Sequence, residues 1–141
     1  MKLPIKKLTP TATIPTGFAH EGDAGIDLFA AEAITIKPME RVQVSTGIAL
    51  AIPLGYVGLI WDKSGLSHKS GLKVMGGVID AGYRGEIKVG IVNLGTEIHT
   101  FAVGDKVTQL LIQKIEQPEI IEVQELEDTE RGEDGFGSTG V

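Results

Sequence analysis

The stretch GGVIDAGYRGEIKV, residues 76–89, carries the strongest structural signals in this chain. From residue 86 onward apolar and polar side chains alternate, which is typical of a half-buried strand. The Gly76-Gly77 pair predicts a tight turn just before it. We therefore expect a β-hairpin here, with Asp80, Tyr83 and Arg84 crowded into one bend. An ordinary hairpin with an Asp-started turn explains the glycines but not this crowding.

The same alternation recurs at residues 34–37 and 41–45, and turn signals separate these segments. The segment 107–115 has a long apolar run, which favours a strand buried on both faces. Only a possible turn at 64–71 interrupts the β pattern. Many short strands with glycine punctuation predict an all-β fold, a distorted jelly roll or β-barrel with little helix.

The pattern weakens after residue 115. One more strand is possible at 120–123, and no regular pattern continues past residue 127. We therefore expect one β domain at residues 1–126 and a mobile, glycine-rich C-terminal tail at 127–141. Residues 116–134 hold nine Asp/Glu against one Arg, a charge of −8, while the rest of the chain sums to +2.

Composition excludes several classes of function. The absence of cysteine removes disulfides, thiolate zinc sites and cysteine nucleophiles, and none of the three histidines lies at metal-ligand spacing from another. A mildly basic body with only 5% aromatic residues argues against nucleic-acid binding. No apolar run is long enough to span a membrane. We expect a cytoplasmic protein with no membrane or nucleic-acid partner, while a small anionic ligand remains open.

Three further stretches carry more polar residues than β-turns require. Asp27 lies on the otherwise apolar strand of 23–30, where it could serve the ligand or satisfy backbone amides at a strand end. WDKSGLS at 61–67 could place Ser64, bare backbone N–H groups and Lys63 around an anion, although KSG is also a common turn. Gln109 interrupts the apolar strand after Gly104, so it either bridges strands or faces a ligand.

Taken in order, these stretches resemble the five motifs of the homotrimeric dUTPase family, the dUTP diphosphatases. The resemblance spans residues 24–140, nearly the whole chain. The matching segments are Ala24–Leu28, Lys63–Ser67, Gly77–Asp80 continuing through Gly82–Gly85, Gly104–Leu110, and Arg131-Gly132 with Gly135–Gly140.

The resemblance implies hydrolysis of dUTP to dUMP and diphosphate by water attack on the α-phosphorus. This activity limits uracil in DNA and supplies dUMP for thymidylate synthesis. It also implies a homotrimer with active sites between subunits. Mg²⁺ would bind through the substrate phosphates and water, with no direct protein ligand, which agrees with the lack of a carboxylate cage in the sequence.

The family motifs also imply roles for individual residues. Asp80 would be the catalytic carboxylate that orients the water. Tyr83 would pack beneath the deoxyribose and reject a 2′-hydroxyl. Around the base, the expected contacts are the backbone of Gly77, Val78 and Ile79, together with Lys88. Phosphate contacts would come from Lys63, Ser64, Gly65 and Gln109, with Asp27 supporting. From the tail, Arg131 would pair with the γ-phosphate, Phe136 would stack on uracil, and Gly137, Ser138 and Thr139 would complete the phosphate contacts.

The chain departs from the commonest second motif, because Lys63 and Ser67 stand where arginine and alanine are usual. Asp62 is also unusual there, and we expect it to pair with Lys63. Two alternatives remain. A dCTP deaminase-like homologue would carry a catalytic glutamate ten residues after the hairpin aspartate, where this chain has Gly90. A non-catalytic nucleotide-binding trimer would share the fold without the activity.

Overall fold

The computed structural model describes residues 1–130 and 132–133, and within them the chain forms ten strands and one short helix. The elements in chain order are β1 (Ile5–Lys7), β2 (Ile26–Phe29), β3 (Ile34–Ile36), β4 (Arg41–Leu50), β5 (Tyr56–Trp61), α1 (Ser64–Ser70), β6 (Leu72–Met75), β7 (Val78–Ile79), β8 (Glu86–Asn93), β9 (His99–Phe101) and β10 (Lys106–Lys114). The helix has seven residues and is too short to cross a membrane, and no other helix is found among the described residues.

The strands form two four-stranded antiparallel sheets and one two-stranded ribbon. The first sheet has the order β1-β4-β8-β6, the second has the order β2-β10-β5-β7, and the ribbon pairs β3 with β9. Non-consecutive strands are neighbours throughout, as in jelly rolls. The predicted all-β, jelly-roll-like fold is confirmed.

Both sheets and the ribbon contribute to one hydrophobic core. The alternation predicted for β8 is confirmed, because Ile87, Val89 and Ile91 are each 1% exposed while Lys88 faces outward. From the opposite sheet, Leu28 and Leu110 pack into the same core. Burial of such side chains is worth about 1.5–3 kcal/mol each, so this shared core holds the two sheets together.

A β-bulge in β4 fixes the start of β8. The register between the two strands shifts between Ser45 and Ala49, where Gly47 takes a left-handed φ of 64°. The carboxylate of Glu86 accepts hydrogen bonds from the Ser45 hydroxyl and, at 2.8 Å, from the Gly47 amide. The bulge therefore anchors Glu86 at the rim of the sheet.

The predicted hairpin at 76–89 is wrong. The turn at Gly76 and Gly77 is present, with φ values of 70° and 110°. However, β6 pairs with β8 in the first sheet, whereas β7 pairs with β5 in the second. The glycines send the chain across to the other sheet, so residues 80–85 form a loop between sheets, here called the Asp80 loop. Sequence alternation does not specify which strand edge a two-residue strand will join.

The possible turn at 64–71 is the helix α1. Its end is well defined, because Gly71 adopts a left-handed φ of 69° and donates a 3.0 Å hydrogen bond to the Ser67 carbonyl. Its start lacks a side-chain cap, since Lys63 is the N-cap residue and makes no capping hydrogen bond. Contact between Leu66 and the core stabilises this short helix more than local propensity does.

The regular structure ends earlier than the sequence pattern indicates. The last strand ends at Lys114, and Ile115 donates a 3.0 Å hydrogen bond to Gly55. The predicted strand at 120–123 is wrong, because these residues have no strand partner in the described chain and Ile120 is 94% exposed. The expected double burial of β10 holds only in its first half, since its last two residues are exposed. The domain boundary at 126 stays a prediction.

Candidate functional site

Two polar residues and one tryptophan lie in one row across the second sheet. Gln109 of β10 is in register with Asp27 of β2 on one side and with Trp61 of β5 on the other. Directly opposed residues of antiparallel strands share a face, so the three side chains form one surface. This surface lines a cavity of about 390 Å³, called here the Lys63 cavity. Its walls are formed by Ala19, Asp23–Gly25, Asp27, Trp61–Lys63, Gln109 and Leu111.

Asp27 is the electrostatic centre of this row. One carboxylate oxygen pairs with Lys63, and the other lies 2.7 Å from the Lys106 Nζ. Partial burial raises the pKa of Asp27, but the hydrogen bonds and charges of Lys106 and Lys63 outweigh it and leave the pKa below its ordinary value. Asp27 is therefore an ionised carboxylate between two ammonium groups, unlike a strand-end aspartate bound to backbone amides.

Gln109 does both things that the sequence left open. Its Nε2 donates a 2.7 Å hydrogen bond to the Asp62 carbonyl, which bridges β10 to the segment before α1, and its side chain also lines the Lys63 cavity. Gly25 leaves room for this side chain, because a Cβ at position 25 would lie 2.1 Å from the Gln109 Oε1.

The expected pairing of Asp62 with Lys63 is wrong. The Asp62 carboxylate instead pairs with Lys73 and accepts a 2.7 Å hydrogen bond from the Val74 amide. Asp62 thus connects the start of the Lys63 segment to β6, while Lys63 itself pairs with Asp27. Ser64 and Gly65 follow at the exposed start of α1, and nothing lies within 4 Å of the position that a Gly65 Cβ would take.

Asp80 lies in a second cavity, of about 290 Å³, called here the Asp80 cavity. Its side chain is exposed at the start of the Asp80 loop. The walls are formed by Gln43, Val78, Ile79, Asp80, Tyr83, Glu86 and Lys88. An open groove of about 570 Å³ shares Val78, Ile79 and Lys88 with this cavity and also contacts Gly77 and Arg41. The predicted base and sugar contacts therefore lie together.

Hydrogen bonds within the Asp80 loop hold Tyr83 in place. Its hydroxyl donates a 3.0 Å hydrogen bond to the Glu86 carbonyl, and its ring covers Gly85, where a Cβ would lie 2.4 Å from the hydroxyl oxygen. Arg84 Nη1 donates to the carbonyls of Ala81 and Tyr83 at 2.6 and 2.8 Å. Arg84 therefore stabilises the loop, which explains the crowding seen in the sequence.

The two groups of predicted residues line different cavities of the chain. The Lys63 cavity and the Asp80 cavity share no wall residue among those described, and a third cavity of about 240 Å³ borders both, because it shares Trp61 and Asp62 with the first and Val78 with the second. The predicted residues Arg131, Phe136, Gly137, Ser138 and Thr139 lie outside the described residues. Among the described residues, no group of three or more His, Asp or Glu side chains is arranged to hold a metal ion.

Sequence reasoning assigned no role to several polar or aromatic residues that the structure places at these cavities or in contact with their wall residues. Gln43 and Glu86 line the Asp80 cavity, Trp61 lines the Lys63 cavity, and Lys106 pairs with Asp27. The outward positions of the alternating strands β4 and β8 contained a signal for Gln43 and Glu86. Lys106 lies inside the motif segment Gly104–Leu110, but the motif implied no separate role for it.

The fold and the two cavities define a class: a small all-β protein with two polar cavities, one with Lys63 beside the carboxylates of Asp23, Asp27 and Asp62, and one with Asp80 and Lys88. The sequence model of the dUTPase family matches residues 11–140. A deoxyuridine 5′-triphosphate nucleotidohydrolase of Clostridium kluyveri is 49% identical over 143 residues, covering 100% of this chain and 99% of the relative. One of Corynebacterium diphtheriae is 49% identical over 140 residues, covering 97% and 91%.

Solved structures agree with the sequence relatives. A Staphylococcus bacteriophage 80alpha dUTPase with dUpNHpp aligns with a TM-score of 0.90 and 36% identity, covering 99% of both chains. A variant dUTPase of phage phi11, described with a structural Mg(II) ion, aligns with a TM-score of 0.83 and 32% identity over 89% of this chain and 98% of that one. The chain belongs to the dUTPase family, whose function is the hydrolysis of dUTP.

Proposed function

We propose that this chain hydrolyses dUTP to dUMP and diphosphate, with Asp80 as the catalytic residue. The observation that carries the proposal is the exposed Asp80 carboxylate in a cavity shared with Tyr83 and Lys88, in a chain of the dUTPase family. Phosphoryl transfer needs positioning and charge neutralisation more than covalent chemistry. One well-placed carboxylate that orients the attacking water at the α-phosphorus can therefore suffice.

The Asp80 cavity supports recognition of the deoxynucleoside. The Tyr83 ring is held by its hydrogen bond to Glu86, so it would form a fixed floor under the sugar and clash with a 2′-hydroxyl. Backbone groups of Gly77, Val78 and Ile79 would read the uracil edge, with Lys88 beside the base. One methyl group changes binding by only about 1–3 kcal/mol through attraction, so we attribute rejection of thymine to a clash.

The Lys63 cavity supports recognition of the phosphates. Lys63 supplies the charge and Gln109 supplies an amide from β10. Ser64 and Gly65, which lie outside the cavity wall at the adjacent start of α1, would supply hydroxyl and backbone donors. In the free protein Asp27 holds Lys63. A triphosphate would therefore compete with Asp27 for this ammonium group. Lysine offers a point charge without the bidentate fork of arginine, so we expect weaker or rearranged phosphate contacts without loss of activity.

Separation of the two cavities supports an intersubunit active site. If the Asp80 cavity of one copy faces the Lys63 cavity of another, base, sugar and phosphates are all contacted at once. We propose a homotrimer, in which closed three-fold symmetry gives three equivalent sites. A matched test mixes an Asp80→Asn chain with a Lys63→Gln chain, which should restore activity only if sites are shared between copies.

Magnesium fits this proposal only as a partner of the substrate. Both oxygen atoms of Asp27 are engaged by lysines, and the described residues offer no carboxylate cage. We therefore propose that Mg²⁺ arrives on the phosphates and water, where it would neutralise phosphate charge. The protein contribution is then the positioning of the triphosphate by Lys63 and Gln109.

The tail completes the proposal. Arg131 would pair with the γ-phosphate, Phe136 would stack on uracil, and Gly137, Ser138 and Thr139 would add phosphate contacts, with residues 127–141 closing over the site of a body formed by 1–126. A protein ending at Glu130 should keep its melting temperature and lose most of its dUTP hydrolysis. Full activity of this truncated protein would contradict the role of the tail. The cytoplasmic location stays a prediction.

The decisive experiment measures diphosphate release from dUTP, dCTP, dTTP and UTP. We expect turnover of dUTP alone, abolished in Asp80→Asn and retained in Glu32→Gln, an exposed carboxylate with the same change in charge. Formation of deoxyuridine products with ammonia from dCTP would favour the deaminase-like alternative. Binding of dUTP without any turnover would favour the non-catalytic trimer.

A further inference from the structure

Lys106 approaches Asp27 from the side opposite the Lys63 cavity. Its Nζ lies 2.7 Å from one carboxylate oxygen, while Lys63 pairs with the other. Lys106 lines a small cleft of about 100 Å³ formed with the loop at 15–19 and Phe29, and it is not part of the Lys63 cavity wall. Of the three charged residues, Asp27 alone borders both spaces.

A register shift places Lys106 in this position. The pairing of β10 with β2 slips between Lys106 and Thr108. In a regular strand, residues 106 and 109 would point to opposite faces, because side chains alternate. The shift resets the alternation, so that Lys106 opposes Phe29 while Gln109 opposes Asp27, and both flank Asp27 on one face. The backbone irregularity thus brings a second ammonium group to the carboxylate.

The charges of this group do not cancel. Two ammonium groups and one carboxylate leave this group with one net positive charge, beside a cavity whose wall also holds the exposed Asp23 and Asp62, which pairs with Lys73. Without Lys106, Asp27 and Lys63 would form a neutral pair, and the attraction between unit charges this close is substantial at the edge of a protein. Asp27 would then hold Lys63 more firmly against a competing phosphate.

We propose that Lys106 is a positioning residue that shares the charge of Asp27 and so releases Lys63 to bind the triphosphate. The inference rests on the proposed function, because it deepens the role of the same phosphate-binding cavity. Lys106 acts through Asp27 and does not contact the substrate. Its removal therefore weakens ground-state binding and leaves the chemical step nearly unchanged.

A double-mutant cycle on the full chain tests this inference. Lys106→Gln should raise the KM for dUTP and the Kd for the imido analogue dUpNHpp about three- to fivefold, the size expected for one partly exposed ion pair. The kcat should stay within about twofold, since uniform binding is what is lost. In an Asp27→Asn background, the same Lys106 change should have no further effect.

Two variants serve as controls. Lys106→Arg keeps the ion pair and should retain near wild-type KM. Lys114→Gln makes the same charge change on an exposed residue at the far end of the same strand, and should leave KM unchanged. Melting temperatures of all variants show whether each one is folded, and the arginine variant keeps the test valid if the glutamine variant unfolds.

Each other outcome overturns the inference. An equal effect of Lys106→Gln in both backgrounds would show that Lys106 contacts the ligand directly. An effect matched by Lys114→Gln would show long-range attraction, and no effect at all would show that Asp27 and Lys63 act alone. If the unchanged chain neither hydrolyses dUTP nor binds dUpNHpp, the proposed function itself is wrong. If the chain is active but the effects of Lys106→Gln and Asp27→Asn on KM simply add, only the positioning role of Lys106 is wrong.

Discussion

The Gln109 side chain donates a 2.7 Å hydrogen bond to the backbone carbonyl of Asp62, and this contact joins the centre of the second sheet to the segment that carries Lys63. It links a strand that the core holds rigidly to a segment on the surface. The geometry of the phosphate side of the site therefore depends on the contact between Gln109 and the backbone before Lys63.

Gly25→Ala should disturb this contact. A Cβ at position 25 would lie 2.1 Å from the Gln109 Oε1 and 3.0 Å from its Cδ, so Gln109 must move. We expect a loss of about 1–3 kcal/mol in the free energy of unfolding, as for other overpacked sites. Chemical denaturation measures it. Gly82→Ala is the control, because nothing lies within 4 Å of its Cβ position. Equal effects of the two changes would contradict the packing argument.

Asp62→Ala should loosen the segment before α1. The change removes the acceptor of the 2.7 Å hydrogen bond from Val74 as well as the ion pair with Lys73. We expect a destabilisation of about 1–3 kcal/mol, because the Val74 amide loses its partner in a half-buried position. Lys73→Gln removes only the exposed ion pair and should change stability by about 1 kcal/mol or less. Thermal unfolding of both variants decides between these contributions.

Gly71→Ala should unfold the end of α1. Gly71 has a φ of 69°, and a Cβ there would lie 2.5 Å from the Gly95 backbone nitrogen, which cannot move aside as a side chain could. Gly55 has a similar φ of 80° with nothing within 4 Å of its Cβ position. Gly55→Ala should therefore show only the left-handed strain, about 1–2 kcal/mol, and Gly71→Ala clearly more. Comparable melting temperatures for the two variants would rule out the steric contribution.

The lowered pKa of Asp27 predicts how the free energy of unfolding changes at acidic pH. A carboxyl whose pKa is lower in the folded than in the unfolded chain contributes stability above its ordinary value of about 3.9, and this contribution is lost as the pH falls through the folded pKa. The stability advantage of the unchanged protein over Asp27→Asn should therefore be constant from neutral pH to about pH 5 and shrink below about pH 4. Urea denaturation at each pH measures it, with Glu32→Gln as the control for net charge. An advantage that grows on acidification would reverse the argument.

Much of the fold could be predicted because one face of each strand is buried. The alternation of β8 in the sequence corresponds to its burial in the structure, because a one-residue register shift would move Ile87 and Val89 out of the core. Helix α1 could not be predicted from local signals, because Lys63 provides no cap and the packing of Leu66 comes from distant residues. The Gly76-Gly77 pair predicts a hairpin for the same reason, because the turn does not specify that β7 pairs with β5 of the other sheet.

The sequence predicted which residues belong to the candidate site, but it did not predict which side chains pair with one another. Asp27, Lys63 and Gln109 stood out as polar residues in apolar or glycine-rich surroundings. Their true partners depend on register, so Asp62 was assigned to its sequence neighbour Lys63 when it binds Lys73. Lys106 was missed because the bulge that directs it to Asp27 breaks the alternation on which the prediction depends.

The row formed by Asp27, Gln109 and Trp61 has an optical consequence. Trp61 is the only tryptophan of the chain, and its side chain is 53% exposed on the wall of the Lys63 cavity. Light at the red edge of the absorption band excites indole and not the two tyrosines. The intrinsic fluorescence of the unlabelled protein therefore comes from one position beside Gln109. Binding of a highly charged anion in this cavity should change the wavelength and the intensity of that fluorescence.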